Sequence, residues 1–276
     1  MRIKKTLVIF VAGVAMICIP AGPLQAAEVD RTTLQIGNIL GTAVTTLLKG
    51  FIQGRVHDVK DAGRMLLYGG MAGYGFYQAK AMISRGALTS GIVLANLSAS
   101  VCENVAWGEH PLAYIGYSLG PARVKLATPL ARSNHALFHI NLSVKQVTDL
   151  VFTVAHADHF RFQHGLVCFQ ASQRLNNGAI GWTKGLYPTV LQGTPDYVFQ
   201  HEIVHVVQNL QLSCVSPYEP LLRDPGTRRH PAKSLFWFEG FKVDLLSVAS
   251  DLSYMAVNYE NAWQELEAYH FASGTN

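Results

Sequence analysis

Charged side chains are scarce in this chain. Asp, Glu, Lys and Arg make up 14% of its 276 residues, whereas soluble globular proteins average roughly 25%. The formal net charge is only +4, and the basic residues are scattered rather than gathered into a stripe. A nucleic-acid partner is therefore not expected. Because 49% of the residues are hydrophobic, either much of the surface is apolar or some of it meets a membrane or a protein partner.

Cysteine is also scarce, and no two cysteines have the CxxC spacing of a metal or redox site. Beyond the first 27 residues the chain contains Cys102, Cys168 and Cys214. This odd number permits one disulfide and one thiol, or no disulfide, and the sequence does not choose. A chain of this length can bury enough surface to be stable without a disulfide framework. No internal repeat recurs at a fixed period.

The first 27 residues have the three parts of a secretory signal. Three of the first five residues are basic, residues 7–19 are apolar, and residues 20–27 contain a proline followed by small residues. This pattern predicts a signal peptide over residues 1–27 and export to the periplasm or cell envelope. A retained anchor helix is the alternative. No run reaches 18 uninterrupted apolar residues, so no second membrane-spanning helix is expected.

Residues 28–110 are rich in Ala and Gly and are predicted to be helical. One helix is expected over residues 34–56, and others between residues 61 and 101. The pairs Gly37/Gly41 and Gly69/Gly73 would let helix backbones approach closely, as they do in membrane bundles. We expect this region to pack tightly or to dock on a membrane surface.

Residues 111–276 predict a central antiparallel sheet followed by a helical metal site, so the fold class expected for the whole chain is α+β. Alternating β-branched and aromatic residues indicate strands at residues 136–143, 150–154, 160–170 and 179–183. Asn176-Asn177-Gly178 is a hairpin signal between two of them. A helix is expected from about Asp196, with Asp196 or Thr194 as its N-cap. Two more helices are expected at residues 232–254 and 260–271, after a proline-rich loop.

The helix expected from Asp196 carries the run His201-Glu202-Ile203-Val204-His205. Histidines at i and i+4 stand one turn apart on the same face of a helix, so both can bind one zinc ion. Glu202 would then be the general base that takes a proton from a zinc-activated water. Chance alone produces this motif in roughly one or two per cent of chains of this composition. The alternative is a surface or core helix with unmetallated histidines.

The third ligand must come from a later part of the chain, because the HxxGxxH continuation of the metzincins is absent after His205. Glu265-Leu266-Glu267-Ala268 resembles the ExxA pattern of the membrane-bound prenyl-protein endopeptidases and related gluzincins. That resemblance implies that Glu265 is the third metal ligand, although Tyr269 stands where those families usually have Asp. The run 201–208, HEIVHVVQ, resembles the HExxHxxQ helix of bacterial putative peptidase domains, including those linked to contractile injection systems. Together these resemblances span about a quarter of the chain.

Two other glutamates compete with Glu265 for the third ligand position. Glu239 lies in Trp237-Phe238-Glu239-Gly240, which resembles the WxxEG pattern of other gluzincins. Asp244 follows Glu239 by five residues rather than four, which weakens that match. Glu267 is the third candidate.

Several other polar residues are candidates for supporting roles. Gln208 shares the helix face of His205 and would hydrogen-bond a ligand or the substrate. Tyr269 or His270 would stabilise an oxyanion. His135 and His139 are also four residues apart, but on a predicted strand their rings would be about 13 Å apart, which argues against a second metal site. Residues 186–191 are expected to form an edge strand that binds an extended peptide.

The sequence therefore predicts an exported zinc metallopeptidase with Zn²⁺ as cofactor, His201, His205 and Glu265 as ligands, and Glu202 as catalytic base. Its expected partner is a peptide or protein substrate, with membrane contact through the N-terminal helices. The alternative is a non-catalytic metal-binding or membrane-associated envelope protein. An open coordination position would distinguish the enzyme from a closed structural site.

Overall fold

The computed structural model describes residues 30–132, 136–174, 178–216, 234–256 and 263–272. The predicted signal peptide, the Asn176-Asn177 turn, His135 and the proline-rich loop after residue 216 lie outside the described residues. The described part is a mixed α+β fold of helices and two four-stranded sheets, which confirms the predicted fold class.

Three long helices form the N-terminal bundle, in the region of residues 28–110 that was predicted to be helical. They are α1 (Arg31–Ile52), α2 (Val59–Ser84) and α3 (Leu88–Ala106). The carboxylates of Asp30 and Asp58 accept hydrogen bonds from backbone N–H groups three residues later, which caps α1 and α2. Within the described residues, none of the helices is both long and apolar enough to span a bilayer.

One of the two predicted glycine pairs brings helices together. A Cβ atom on Gly69 would lie 2.9 Å from the Cα atom of Ala43, and one on Gly73 would overlap the carbonyl oxygen of Asn38. These two glycines therefore let α2 approach the backbone of α1. The other pair does not, because a Cβ on Gly37 would meet Trp263 at 3.4 Å and one on Gly41 would meet nothing.

The predicted single antiparallel sheet is instead two sheets, each with one parallel pair of strands. The first has the order β1-β2-β3-β8 and the second the order β4-β5-β7-β6. The β3/β8 and β5/β7 pairs are parallel, and the other neighbours are antiparallel. The strands are β1 (Tyr114–Leu119), β2 (Ala122–Ala127), β3 (Ala136–Ser143), β4 (His159–Gln163), β5 (Leu166–Ala171), β6 (Gly181–Lys184), β7 (Tyr187–Leu191) and β8 (Ser234–Lys242).

Two predicted elements were wrong in type. Residues 150–154, predicted as a strand, belong to helix α4 (Val144–His156), whose first turn is capped by the Ser143 side chain. Residues 232–254 were predicted as one helix, but their described part, from Ser234 onward, forms strand β8 and then helix α6 (Leu245–Ala256). Glu239 therefore lies on a strand, because this segment pairs in parallel with β3 instead of forming the predicted helix.

The two remaining helices are α5 (Asp196–Val215) and α7 (Trp263–Ala272). The residue before α5 is Pro195, which has no side-chain cap, so neither Asp196 nor Thr194 is the N-cap. Apolar side chains of α5 bury it against α3, β7 and α7, and the most buried are Ile203, Val204, Val206 and Val207. This central position buries the HExxH motif between α3, β7 and α7. Cys102, Cys168 and Cys214 are buried thiols without a disulfide.

A buried lysine near the end of α5 makes stability depend on pH. Lys49 is 1% exposed, and its ammonium group donates a hydrogen bond to the Cys214 carbonyl oxygen at 2.5 Å. Burial, followed by repulsion from Lys242, lowers the pKa of Lys49 from 10.5 to about 8. The folded state therefore disfavours the charged amine, and this penalty is fully present below pH 8.

We expect the free energy of unfolding of the wild type, relative to Lys49→Met, to rise by up to about 3 kcal/mol between pH 8 and 10.5, as the penalty disappears. Urea titrations of both proteins across this pH range would measure the difference. Lys60→Met, at an exposed lysine, is the matched control. The difference in free energy of unfolding between the wild type and Lys60→Met should not change across this pH range. A constant difference between wild type and Lys49→Met would contradict the prediction.

Candidate metal centre

Helix α5 presents two imidazoles to one point. The Nε2 atoms of His201 and His205 are 3.0 Å apart, and both side chains are buried. This proximity follows from the i, i+4 spacing, which places the two residues on the same face of the helix. Because α5 is buried and packs against α7, the face that carries both histidines is directed toward α7.

Helix α7 supplies a carboxylate to the same point. The Glu265 Oε2 atom lies 3.2 Å from His201 Nε2, and Oε1 lies 3.1 Å from His205 Nε2. The three residues form a cluster that could hold a metal ion. Ligand atoms each about 2 Å from a tetrahedral zinc ion would lie roughly 3.3 Å from one another. The two nitrogens are 3.0 Å apart, and one ligand atom from each of the three residues lies within 4.8 Å of the others. Two imidazole nitrogens and one carboxylate oxygen are also a donor set that suits zinc.

The charges in the cluster are complementary. Burial opposes ionisation of Glu265, but hydrogen bonds from His201 and His205 hold the pKa of its carboxyl group well below the usual range. Burial likewise opposes protonation of His205, yet the Glu265 carboxylate raises the pKa of this imidazole to about 9. The charge of a protonated His205 imidazole thus offsets the charge of the Glu265 carboxylate. A metal ion bound at this site would displace the imidazole proton.

Glu202 lies beside the cluster and is held by the second sheet. Glu202 is 4% exposed, and its Oε2 accepts a hydrogen bond from Thr183 Oγ1 at 2.8 Å. The same hydroxyl is 2.9 Å from the Glu202 carbonyl oxygen. Burial raises the pKa of Glu202. A Cβ atom on Gly181 would lie 2.9 Å from Glu202 Oε1, so the glycine leaves room for the carboxylate.

The strand next to Glu202 is β6, which lies at an edge of the second sheet as far as the described residues extend. The prediction that residues 186–191 form the edge was wrong, because β7 (Tyr187–Leu191) pairs with β5 on one side and β6 on the other. A strand-shaped ligand that reaches Glu202 would therefore meet β6.

The competing glutamates have other partners. Glu239 pairs with Lys125 at 2.5 Å, with His139 at 3.3 Å and with Asn141 at 3.0 Å, all in the first sheet. Partial burial would raise the pKa of the Glu239 carboxyl group, but these three neighbours hold it well below the usual range. His139 is on β3, as predicted, and its observed carboxylate partner is Glu239.

Glu267 points away from the two histidines into the N-terminal bundle. Its carboxylate pairs with Lys80 at 2.7 Å and accepts a hydrogen bond from Asn38 at 2.6 Å. The Asp244 carboxylate is bound by Ser143, Ser213 and Lys242. The structure thus brings Glu265, and neither Glu239 nor Glu267, between His201 and His205.

Two residues at the centre were missed by the sequence reasoning. Thr183 holds Glu202, and no motif marks a lone threonine on a short strand. Lys80 stands alone among apolar and small residues in the second half of α2, and a single charge in such a run is a signal for a buried partner. The ring of Tyr269, one of the predicted oxyanion groups, lies 4.6 Å from the ring of His201 and is half exposed.

Comparisons with known proteins return no family model, no curated protein and no solved structure that matches this chain.

Proposed function

We propose that this chain is an exported zinc metallopeptidase of the gluzincin type, with His201, His205 and Glu265 as metal ligands and Glu202 as general base. One observation carries the proposal: two imidazoles and a carboxylate converge within 3.2 Å of one another, and a second buried carboxylate stands beside them. A structural site would need neither the second carboxylate nor the held rotamer of its side chain. The resemblance of the α5 and α7 motifs to gluzincins agrees with this reading.

A bound zinc ion would supply Lewis acidity, which polarises a carbonyl group and lowers the pKa of water to roughly 7. The chain itself supplies the proton transfers. Glu202 accepts a proton from the attacking water and later gives it to the leaving amine. The Thr183 hydroxyl occupies Oε2, so we assign the proton transfer to Oε1, beside Gly181. The burial that raises the pKa of Glu202 brings its carboxylate closer to the basicity that such a transfer needs.

The position of β6 supports an extended peptide as substrate. An edge strand has unpaired backbone groups that can add a peptide strand to the sheet. Thr183 of β6 contacts Glu202 directly, so a peptide paired with β6 would run past the general base. Tyr269, with its half-exposed ring against His201, is the better placed of the two predicted oxyanion groups.

A second function is a non-catalytic envelope protein that contacts a membrane. The exposed apolar side chains of the N-terminal bundle favour it. Ile36 and Leu40 on α1, and Leu67 and Met71 on α2, are each at least 49% exposed. This surface is compatible with the peptidase function as well, since a peptidase can also be held at a membrane.

The two functions differ in whether the purified chain hydrolyses peptides. We expect one zinc per chain by elemental analysis and cleavage of an unfolded protein such as casein. A chelator should abolish the cleavage and added zinc should restore it. Stoichiometric zinc without any cleavage of unfolded proteins or mixed peptides would reject the peptidase and favour the second function.

A further inference from the structure

A chain of buried hydrogen bonds connects His205 to the N-terminal bundle. His205 Nδ1 is 2.7 Å from Gln208 Oε1, and Gln208 Nε2 donates to Glu267 Oε2 at 2.8 Å. Glu267 in turn pairs with Lys80 of α2 at 2.7 Å. Asn38 of α1 completes the set, since it donates to Glu267 Oε1 at 2.6 Å and accepts from Lys80 at 2.9 Å. We call Lys80, Asn38, Glu267 and Gln208 the Lys80 network.

Every group of this network is buried and has a partner of the correct kind. Lys80 has three N–H donors, and three acceptors surround it: Asn38 Oδ1, Gln211 Oε1 and Glu267 Oε2. Lys80 is 1% exposed and Glu267 is 2% exposed, so each charge depends on the other. The network therefore has one arrangement that satisfies all of its members.

The direction of the hydrogen bonds follows from the charge on Glu267. A carboxylate only accepts, so the amide nitrogen of Gln208 must face it. The Gln264 carbonyl oxygen, 2.9 Å from the same nitrogen, requires the same orientation. The amide oxygen of Gln208 then faces His205 Nδ1, and this ring nitrogen must carry the proton. Once a metal ion had displaced the second ring proton from His205 Nε2, the lone pair of that nitrogen would be directed at His201 and Glu265, as a metal ligand requires.

We propose that Lys80 is a positioning residue for the metal site: through Glu267 and Gln208 it fixes His205 in the form that has its proton on Nδ1. This inference rests on the proposed metal site. It assigns the N-terminal bundle a role in that site, because the residue that sets the ligand lies 125 positions earlier in the chain. A flipped Gln208 amide would present a donor to Nδ1 and would move the ring proton to Nε2, where it competes with metal.

The test is the zinc dissociation constant of the purified full chain, measured by competition with a chromophoric chelator. A single change at Lys80 would leave the Glu267 charge buried and unpaired, so both charges are removed together in Lys80→Met/Glu267→Leu. Replacing a whole buried ion pair by apolar groups tends to keep the fold stable. We expect this variant to bind zinc about tenfold more weakly or worse, the lower end of the range for lost outer-shell partners, since Gln264 still holds one amide proton.

Gln208→Leu removes the group through which the pair acts, and it should weaken zinc binding by about 10–100-fold. In the Gln208→Leu background, the Lys80/Glu267 replacement should have no further effect. Equal losses in both backgrounds would show that the pair does not act through Gln208 and would overturn the proposal. Gln208→Leu also tests the proposal if the double variant does not fold. An unchanged zinc dissociation constant in Gln208→Leu is sufficient to refute the mechanism.

The matched control is the buried Arg123–Glu103 pair, which joins β2 to α3 at 2.8 Å. The other partners of Arg123 lie on α3 and β1, and Glu103 also faces Lys242 of β8 at 3.9 Å. Arg123→Met/Glu103→Leu should bind zinc as the wild type does. With cobalt(II) as the probe, the visible absorption bands should shift in the Lys80/Glu267 variant and not in this control. Wild-type zinc affinity in Lys80→Met/Glu267→Leu overturns the inference alone. A wild type that binds no zinc instead overturns the proposed metal site itself.

Discussion

Replacing His201 or His205 with alanine is expected to abolish stoichiometric zinc binding by the purified chain. Four-ligand structural sites bind zinc with an apparent free energy of about 10–16 kcal/mol, so one ligand contributes roughly 3 kcal/mol, more than about a hundredfold in dissociation constant. The two Nε2 atoms are 3.0 Å apart and face one point, so neither imidazole can be replaced by a neighbour. Elemental analysis after gel filtration, with competition titration for the affinity, measures the loss.

The third ligand has an internal control. Glu265 is buried and Glu239 is partly buried, and both carboxylates lie within 3.3 Å of a histidine ring nitrogen, but only Glu265 contacts His201 and His205. Glu265→Gln should weaken zinc binding strongly, whereas Glu239→Gln should leave the zinc content unchanged. Full zinc occupancy in both histidine variants, or a loss confined to Glu239→Gln, would remove the assigned site from consideration.

The parts of the site that local sequence patterns could predict are those within one element, whereas Glu265 on α7 was expected only from the resemblance of its ExxA run to gluzincins. The i, i+4 spacing of His201 and His205 requires only a helix, and the apolar residues around the motif predict that helix to be buried. Strand β3 (Ala136–Ser143) was also predicted with its observed bounds, because its alternation is regular over eight residues. Local periodicity is enough in both cases.

Helix α4 shows where local periodicity fails. Its apolar residues Val147, Val151 and Val154 are at least 40% exposed, whereas its buried face carries Lys145 and Asp149. An alternating apolar run predicted a strand, but Ser143 caps a helix and the Lys145–Asp149 ion pair is compatible with burial. Burial of polar groups through tertiary pairing cannot be read from the spacing of apolar residues.

The errors at β8 and β7 have a different cause, namely long-range strand pairing. Phe236 pairs with Phe138, about a hundred positions earlier, and this parallel register places Glu239 beside His139 rather than beside His201 and His205. The edge position of β6 similarly depends on β5 and β7 being neighbours. The Lys80 network joins four helices in the same way. Long-range contacts of this kind produce no periodic pattern in the sequence, so local periodicity cannot predict them.

Glu202→Gln should retain zinc but lose peptide hydrolysis by about 10²–10⁴-fold, the usual contribution of a general base. Glu202 is not one of the three converging groups, so the ligands His201, His205 and Glu265 remain in this variant. The amide has nearly the shape of the carboxylate and can still accept the Thr183 hydrogen bond through its oxygen, so the fold should be preserved. The NH₂ group of this glutamine only donates hydrogen bonds and cannot take a proton from water.

Thr183→Val is the matched control for position rather than basicity. It removes the hydroxyl that holds Glu202 Oε2 at 2.8 Å while leaving the base in place. We expect an intermediate loss of hydrolysis, with zinc content again unchanged. Zinc analysis and initial rates on the same unfolded substrate, measured side by side for wild type and both variants, separate the two effects. Undiminished hydrolysis by Glu202→Gln would rule out Glu202 as the base, and loss of zinc from that variant would make it a ligand instead, since a neutral amide is a much weaker ligand than the carboxylate it replaces.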